Sequence, residues 1–174
     1  MNPSLLKSLP LALGLTLAAL PVIADEMKIG SITFEAPDGW ELQKNTEGIL
    51  LTKKYPETDD TSQAAALVQL VTAKSAPAQL DANVAEVVSW IDGMSEEDPM
   101  TDSAGTTLNG HPIKVEYRCC GYEGDISLGQ TVVGIAGDTE QLLASLVFMN
   151  TRSDHEDAAE DAFEALIRSV RFSG

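Results

Sequence analysis

The chain has 174 residues, with 11 Lys and Arg against 27 Asp and Glu, a formal charge of −16. Acidity on this scale excludes nucleic-acid binding through a basic stripe, because counterion release needs clustered Lys and Arg, and it disfavours adhesion to anionic membranes. The same field attracts cationic ligands or a basic protein partner, and at the least it favours solubility.

Residues 1–24 carry one basic residue, Lys7, ahead of an apolar run from Leu9 to Ala24 that holds no acid. Val22 and Ala24 stand at −3 and −1 before Asp25, so the segment reads as a secretory signal peptide cleaved there. The run has 16 residues and is broken by Pro10 and Pro21, short of the ~20 that span a bilayer. No cysteine stands at its end, which excludes lipid attachment at that point. The expectation is an exported protein, periplasmic or secreted, with no stable membrane anchor after cleavage. Residues 25–174 then make a single domain with 10 basic and 27 acidic residues, a formal charge of −17. A domain of that length buries a core without disulfide staples.

"KIGSITFEA", Lys28 to Ala36, is strand-like and stops at the turn residues Pro37–Gly39. "WELQKN" and "GILLTKKY" follow, then a polar loop, "PETDDTSQ". "AALVQLVTAK", Ala65 to Lys74, is apolar on both parities, which predicts a strand buried on both faces. The period then changes. Val84, Val87, Val88 and Ile91 recur at i, i+3, i+4 and i+7, the stripe of an amphipathic helix. Asp81 or Asn83 is a candidate cap, the latter with Glu86 as a capping box. After an acidic connection, "SEEDPMTDS", Asn109-Gly110 predicts a type I′ hairpin turn, with Pro112 at a strand start. "ISLGQTVVGIAG" and "QLLASLVFMN" are strands around the turn "GDTE". The last helix opens on a capping box, Ser153 and Glu156, and carries the apolar stripe Ala159, Ala162, Phe163, Leu166 and Ile167. Acids crowd its start, and Arg168 and Arg171 its end, as the helix dipole favours. The order is three strands, a helix, four strands and a helix, with a short "VRF" extension. The expected fold is α+β: an α-β-α sandwich built on a largely antiparallel sheet of about six to seven strands, with helices on both faces.

Three stretches resemble one family. "ITFEAPDGWEL" is similar to the N-terminal β-hairpin signature of PsbP-like and DcrB-like proteins, "LNGHPIKVEY" to their central hairpin, and "AAEDAFEALIRSVRF" to their terminal helix and extension. The resemblance implies a small α-β-α sandwich with no shared catalytic site, acting as an accessory, assembly or chaperone-like binding module. Its lipid-anchored envelope members have a cysteine that this chain lacks, and its chaperone branch is cytoplasmic. No functional residue carries over individually.

No catalytic, cofactor or metal motif is present. His111 follows a hairpin turn and His155 lies in the first turn of an acidic helix, so neither has a positioned nucleophile partner, and no G-x-S-x-G elbow occurs. The acidic runs lack the spacing of a calcium loop. Glu156 with Glu160, and Asp157 with Asp161, stand i, i+4 on the last helix, where a solvated face is the ordinary reading. Trp40, Trp90 and Tyr122 are candidates to line a ligand or partner groove, against ordinary half-buried packing. Cys119 and Cys120 are the only cysteines. In a continuous strand, His111, Ile113, Val115, Tyr117 and Cys119 share one face, and Pro112, Lys114, Glu116, Arg118 and Cys120 the other. The two sulfurs then point apart. A vicinal disulfide needs a distorted peptide there, since adjacent Cα atoms lie ~3.8 Å apart against a usual minimum of ~4.4 Å. A vicinal disulfide, a free or interchain-paired Cys120 beside a buried Cys119, and a soft-metal site all remain open.

The function these features favour is a non-enzymatic, exported accessory or protein-binding module of the cell envelope, acting through its acidic surface or a groove beside the sheet. The alternatives are an envelope immunity protein that blocks a basic toxin, and a thiol redox or metal-handling protein centred on Cys119 and Cys120. Oligomeric state is not encoded in any pattern above.

Overall fold

Strand β1 (Glu26–Ile29) turns back on β2 (Ile32–Glu35) through Gly30 and Ser31. The stretch expected as one strand is therefore a hairpin, and the reason is Gly30, which takes φ +59° where a side chain would be strained. The structure is a computed structural model that describes residues 26–46, 48–55, 64–92, 106–123, 126–149 and 153–173. The predicted signal peptide, the polar loop 56–63 and the acidic connection 95–103 lie outside the described residues.

The chain continues through β3 (Glu41–Lys44), β4 (Ile49–Lys54), β5 (Ala65–Ala73), α1 (Leu80–Asp92), β6 (Thr106–Leu108), β7 (His111–Glu123), β8 (Ile126–Ala136), β9 (Gln141–Met149), α2 (Ser153–Ser169) and β10 (Arg171–Phe172). Seven strands form one antiparallel sheet in the order β3-β4-β5-β9-β8-β7-β6. A three-stranded sheet, β1-β2-β10, holds the ends of the described chain together, and the "VRF" extension is its last strand. The Pro37–Gly39 turn does not close a hairpin: β2 and β3 belong to different sheets, and β3 pairs with β4 instead. The Asn109-Gly110 turn is as predicted, with φ +53° and +88° and Leu108 opposite His111. So is the "GDTE" turn, which Gly137 N–H closes on Glu140 O at 2.9 Å.

Two apolar clusters lie on the large sheet, and successive residues of β8 divide between them. Val133 and Ile135 join Leu142, Ala144, Leu146 and Phe148 of β9, Ala66, Val68 and Leu70 of β5, and Ala159, Phe163, Leu166 and Ile167 of α2. Leu128, Val132 and Ala136 join Leu143 and the α1 residues Leu80, Val84 and Val88. Period two in the strand and period 3.6 in the helices bring these residues together. On β5 only the first set is buried throughout; Leu67, Val71 and Ala73 stay half-buried and Gln69 exposed, so that strand is not closed on both faces as its composition suggested.

Helix α1 starts earlier than its capping candidates imply. A 3-10 turn, Pro77–Gln79, leads into Leu80, and Asn83 sits inside the helix, where its Nδ2 donates to Gln141 Oε1 at 2.8 Å and to Ser75 Oγ at 3.2 Å. Gln141 is fully buried and its Nε2 donates to Ala76 O at 2.6 Å. One side chain thereby ties the β5–α1 connection, the helix and β9. Gly134 of β8 lets α1 approach: a Cβ there would stand 2.5 Å from Val84 Cγ2 and 2.8 Å from Leu80 Cδ1.

Candidate functional site

Helix α2 packs against β2, β5 and β9. In the sheet order, β8, β7 and β6 lie beyond β9, so the helix leaves that part of the sheet only partly covered. The result is a groove of about 540 Å³ between α2 and β6–β8. Its floor is apolar: Ile113 and Val115 from β7, Val133 from β8 and Leu146 from β9, with Phe163 and Ile167 forming the helix wall. Val133, Leu146, Phe163 and Ile167 are buried, whereas Ile113, Val115 and Thr131 remain half-buried. That volume falls in the range of ligand sites, and an apolar floor with a few polar groups at its margin is the composition such sites share.

The margin is acidic. Glu160, Asp161 and Glu164 line it together with Arg168. Arg168 donates to Glu164 Oε1 one helical turn away, so this cation is satisfied within the chain. Among the described residues neither Glu160 nor Asp161 has an ion-pair partner. Partial burial, with Asp157, Glu156 and Asp161 nearby, holds the Glu160 carboxyl above the usual carboxylate range. Tyr117, half-buried on β7, has its phenol pushed up by burial and by Glu160 and Glu156. Its phenol is thus within electrostatic reach of the same carboxylates.

A smaller depression of about 400 Å³ lies beside α1, lined by Gln69, Val71, Ala73, Asn83, Glu86, Val87, Leu143 and Ser145. Near it a polar set is buried in the sheet. Gln130 Nε2 donates to Ser145 Oγ at 2.8 Å, and Arg118 Nη2 meets Glu116 Oε2 at 3.0 Å with Lys114 Nζ 3.5 Å from Glu116 Oε1. Gln130 is fully buried, and its Oε1 has no hydrogen-bond partner among the described residues.

The three aromatics proposed for a groove stand on separate elements. Trp40 follows the Pro37–Gly39 turn and, with Glu35, Ala36, Asp38 and the α2 residues Ala162, Ala165 and Leu166, lines a depression of about 280 Å³. Tyr122 lies on β7, with β4, β5, β9 and β8 between it and the strand after Trp40. Trp90 is on α1; the side chains of Trp90 and Tyr122 lie outside the described residues. Cys119 and Cys120 are within β7, which runs on to Glu123 rather than ending at the pair. Cys119 pairs with Gly129 and Gly121 with Leu128, so Cys120 is the extra residue of a β-bulge. The cysteine side chains are also outside the described residues. His155 stacks on Tyr55 with ring centroids 4.2 Å apart, and His111 is tilted against Phe172 at 4.6 Å.

The groove itself was half visible in the sequence. Strand alternation puts Ile113, Val115 and Tyr117 on one face, and the i, i+4 acids mark one flank of α2. What no local pattern contains is which strands α2 covers, and that decides whether the apolar face is closed or open. No helix among the described residues is long and apolar enough to cross a membrane.

No protein-family model matches the chain, nor does any curated protein sequence. Among solved structures the chain is similar to LpqN of Mycobacterium tuberculosis, described as involved in cell envelope biogenesis: TM-score 0.53, 14% identity, covering 82% of this chain and 83% of that one. It is also similar to the Ran-binding protein Mog1p of Saccharomyces cerevisiae, with TM-score 0.51, 10% identity and coverage of 85% and 94%. At such identities the likeness is one of fold. Envelope and Ran-binding proteins share this α+β architecture, a scaffold whose function lies in the site it carries.

Proposed function

We propose that the protein is an exported, non-enzymatic accessory module of the cell envelope that binds a basic protein partner through the groove beside α2. In this reading residues 1–24 are removed as a signal peptide, and residues 25–174 fold as one PsbP-like α-β-α domain with α1 and α2 on opposite sides of the large sheet. The division of successive β8 residues between the two helix clusters supports that layering. The observation that carries the function is the juxtaposition of an open apolar floor with two carboxylates, Glu160 and Asp161, that have no ion-pair partner among the described residues. The fold shared with LpqN and Mog1p, described by envelope biogenesis and by protein binding, agrees with a binding role. Affinity capture from the envelope fraction tests it. The expected result is a basic protein retained by the wild type at low salt and released as salt rises. Capture of nothing, or only of acidic proteins, would contradict the reading. An immunity protein against a basic toxin uses the same chemistry with a different partner.

A second reading has one observation behind it. The bulge at Cys120 lies at the peptide whose distortion a vicinal disulfide requires, which favours a strained and readily reduced bond. A gain of two daltons in intact mass on reduction is its signature; two free thiols in the air-purified protein would remove it.

A further inference from the structure

We propose that the open strip of the sheet beside α2 is a seat for an amphipathic helix of the partner protein, one whose apolar stripe is flanked by Lys or Arg. The proposal rests on the binding-module reading above and specifies what the partner presents.

The geometry follows from strand order. Helix α2 covers β5 and β9, and the next two strands are β8 and β7. Centre to centre, the uncovered pair lies two strand spacings from the covered pair, about 9–10 Å at ~4.8 Å per strand. Packed helices keep their axes about 8–10 Å apart. A second helix laid on β7–β8 is therefore in contact with α2 and with the sheet at once. Its diameter of about 10 Å matches the width of two strands. It would cover Ile113, Val115 and Thr131, the half-buried residues of the floor, and a helix is what ordinarily completes a layer on a sheet.

Charge sets the partner's chemistry. The side of such a helix that faces α2 meets Glu160 and Asp161, while Glu164 is already engaged by Arg168. Basic residues beside the apolar stripe would be paired there, and acidic ones repelled. A second copy of this chain is a poor occupant, since two chains of formal charge −16 repel.

The test uses the purified full chain and fluorescence anisotropy with three 18-residue amidated peptides. One is built of Leu, Ala and Lys with Leu at i, i+3, i+4 and i+7; one is its scramble; one carries Glu for every Lys. The striped Lys peptide is expected to bind at least about 10-fold more tightly than either control and to weaken as salt rises. Val115→Asp is expected to weaken it by about 10-fold or more. Thr131→Arg, a milder change at a half-buried position, is expected to do the same through repulsion should the first variant lose its fold. Glu160→Gln with Asp161→Asn is expected to cost the Lys peptide about 5-fold and to relieve the repulsion of the Glu peptide. Equal binding of scramble and stripe would mean charge alone, and equal binding of the Lys and Glu peptides would mean apolar contact alone; either overturns the proposal. Indifference to Thr131→Arg overturns it too, and self-association abolished by these variants would assign the strip to a second copy. Capture of a basic envelope protein that is indifferent to both floor variants would leave the binding-module reading standing and remove the helix seat alone.

Discussion

The two helices meet the same sheet in opposite manners. Helix α1 is drawn in until a glycine is the only residue that fits beneath it, and polar groups are buried in the sheet near it. Helix α2 is offset toward β5 and β9 and leaves apolar residues of β7 and β8 half uncovered. The close approach of α1 over Gly134 is a solution to packing, and the larger opening beside α2 is not, because leaving Ile113 and Val115 in partial contact with water forgoes roughly 25 cal/mol for every Å² of apolar area left out. The proposed binding role rests on this apolar surface, open beside acids that have no ion-pair partner among the described residues.

The contrast breaks most visibly at Gly134. A Cβ at this position collides with Val84 and Leu80, both buried and the first β-branched, so neither can step aside cheaply. Gly134→Val is expected to destabilise the fold by about 2 kcal/mol or more, a fall of roughly 4–8 °C in thermal midpoint. Val115→Ala in the groove floor removes similar atoms from a half-open surface and should cost no more than about 1 kcal/mol. Thermal unfolding of the two variants side by side measures the difference, and equal losses would mean that the groove is packed as tightly as the α1 region.

Gln130 sharpens the contrast from the other direction. Its buried Oε1 lacks a partner among the described residues, whereas its Nε2 holds Ser145. An unsatisfied buried acceptor costs about 1–3 kcal/mol and a neutral hydrogen bond returns about 1. Gln130→Leu, close in volume, is therefore expected to leave stability unchanged or raise it by about 1 kcal/mol in urea unfolding. A loss greater than that would show that the glutamine is fully bonded and structural.

Much of this architecture was legible in the residues. Helix faces, the Asn109-Gly110 turn, the "GDTE" turn and the pairings β6–β7 and β8–β9 that those turns close follow from period and turn chemistry, which act within a few residues. The errors share a cause. Ile29 and Ile32 read as one strand because the Gly30-Ser31 reversal is anchored from far away, by Glu140, which accepts hydrogen bonds from Ser31 N–H and Ser31 Oγ–H. The Pro37–Gly39 turn read as a hairpin because its role in leading the chain from one sheet to the other depends on β10, at the other end of the chain. Asn83 read as a cap because its partner Gln141 lies 58 positions away. For the site, the acids and the floor residues were each visible, but the lateral offset of α2 over the sheet is a tertiary fact with no local trace.

The smallest effects separate the two regions by pH. Glu140 binds Ser31 and sits with Thr72 and Lys74, and the Ser31 bond holds its carboxyl below the ordinary range. A depressed value in the folded state means stability that is present above the unfolded value and lost as pH falls through the folded one, so Glu140→Gln should lower stability at neutral pH and converge with the wild type under acid. Glu160 has the opposite sign. Its carboxyl is raised by burial and by three neighbouring acids, so its ionised form costs the folded state free energy at neutral pH, and the cost vanishes as pH falls below the unfolded value of about 4.3. Glu160→Gln should therefore raise neutral-pH stability slightly, by less than about 1 kcal/mol because the group is largely solvated, with no gain near pH 3. Urea unfolding at the two pH values checks both signs. If the same substitution also weakens the Lys-flanked peptide, one carboxylate will have been shown to oppose folding and favour binding, a combination that packing alone has no reason to maintain.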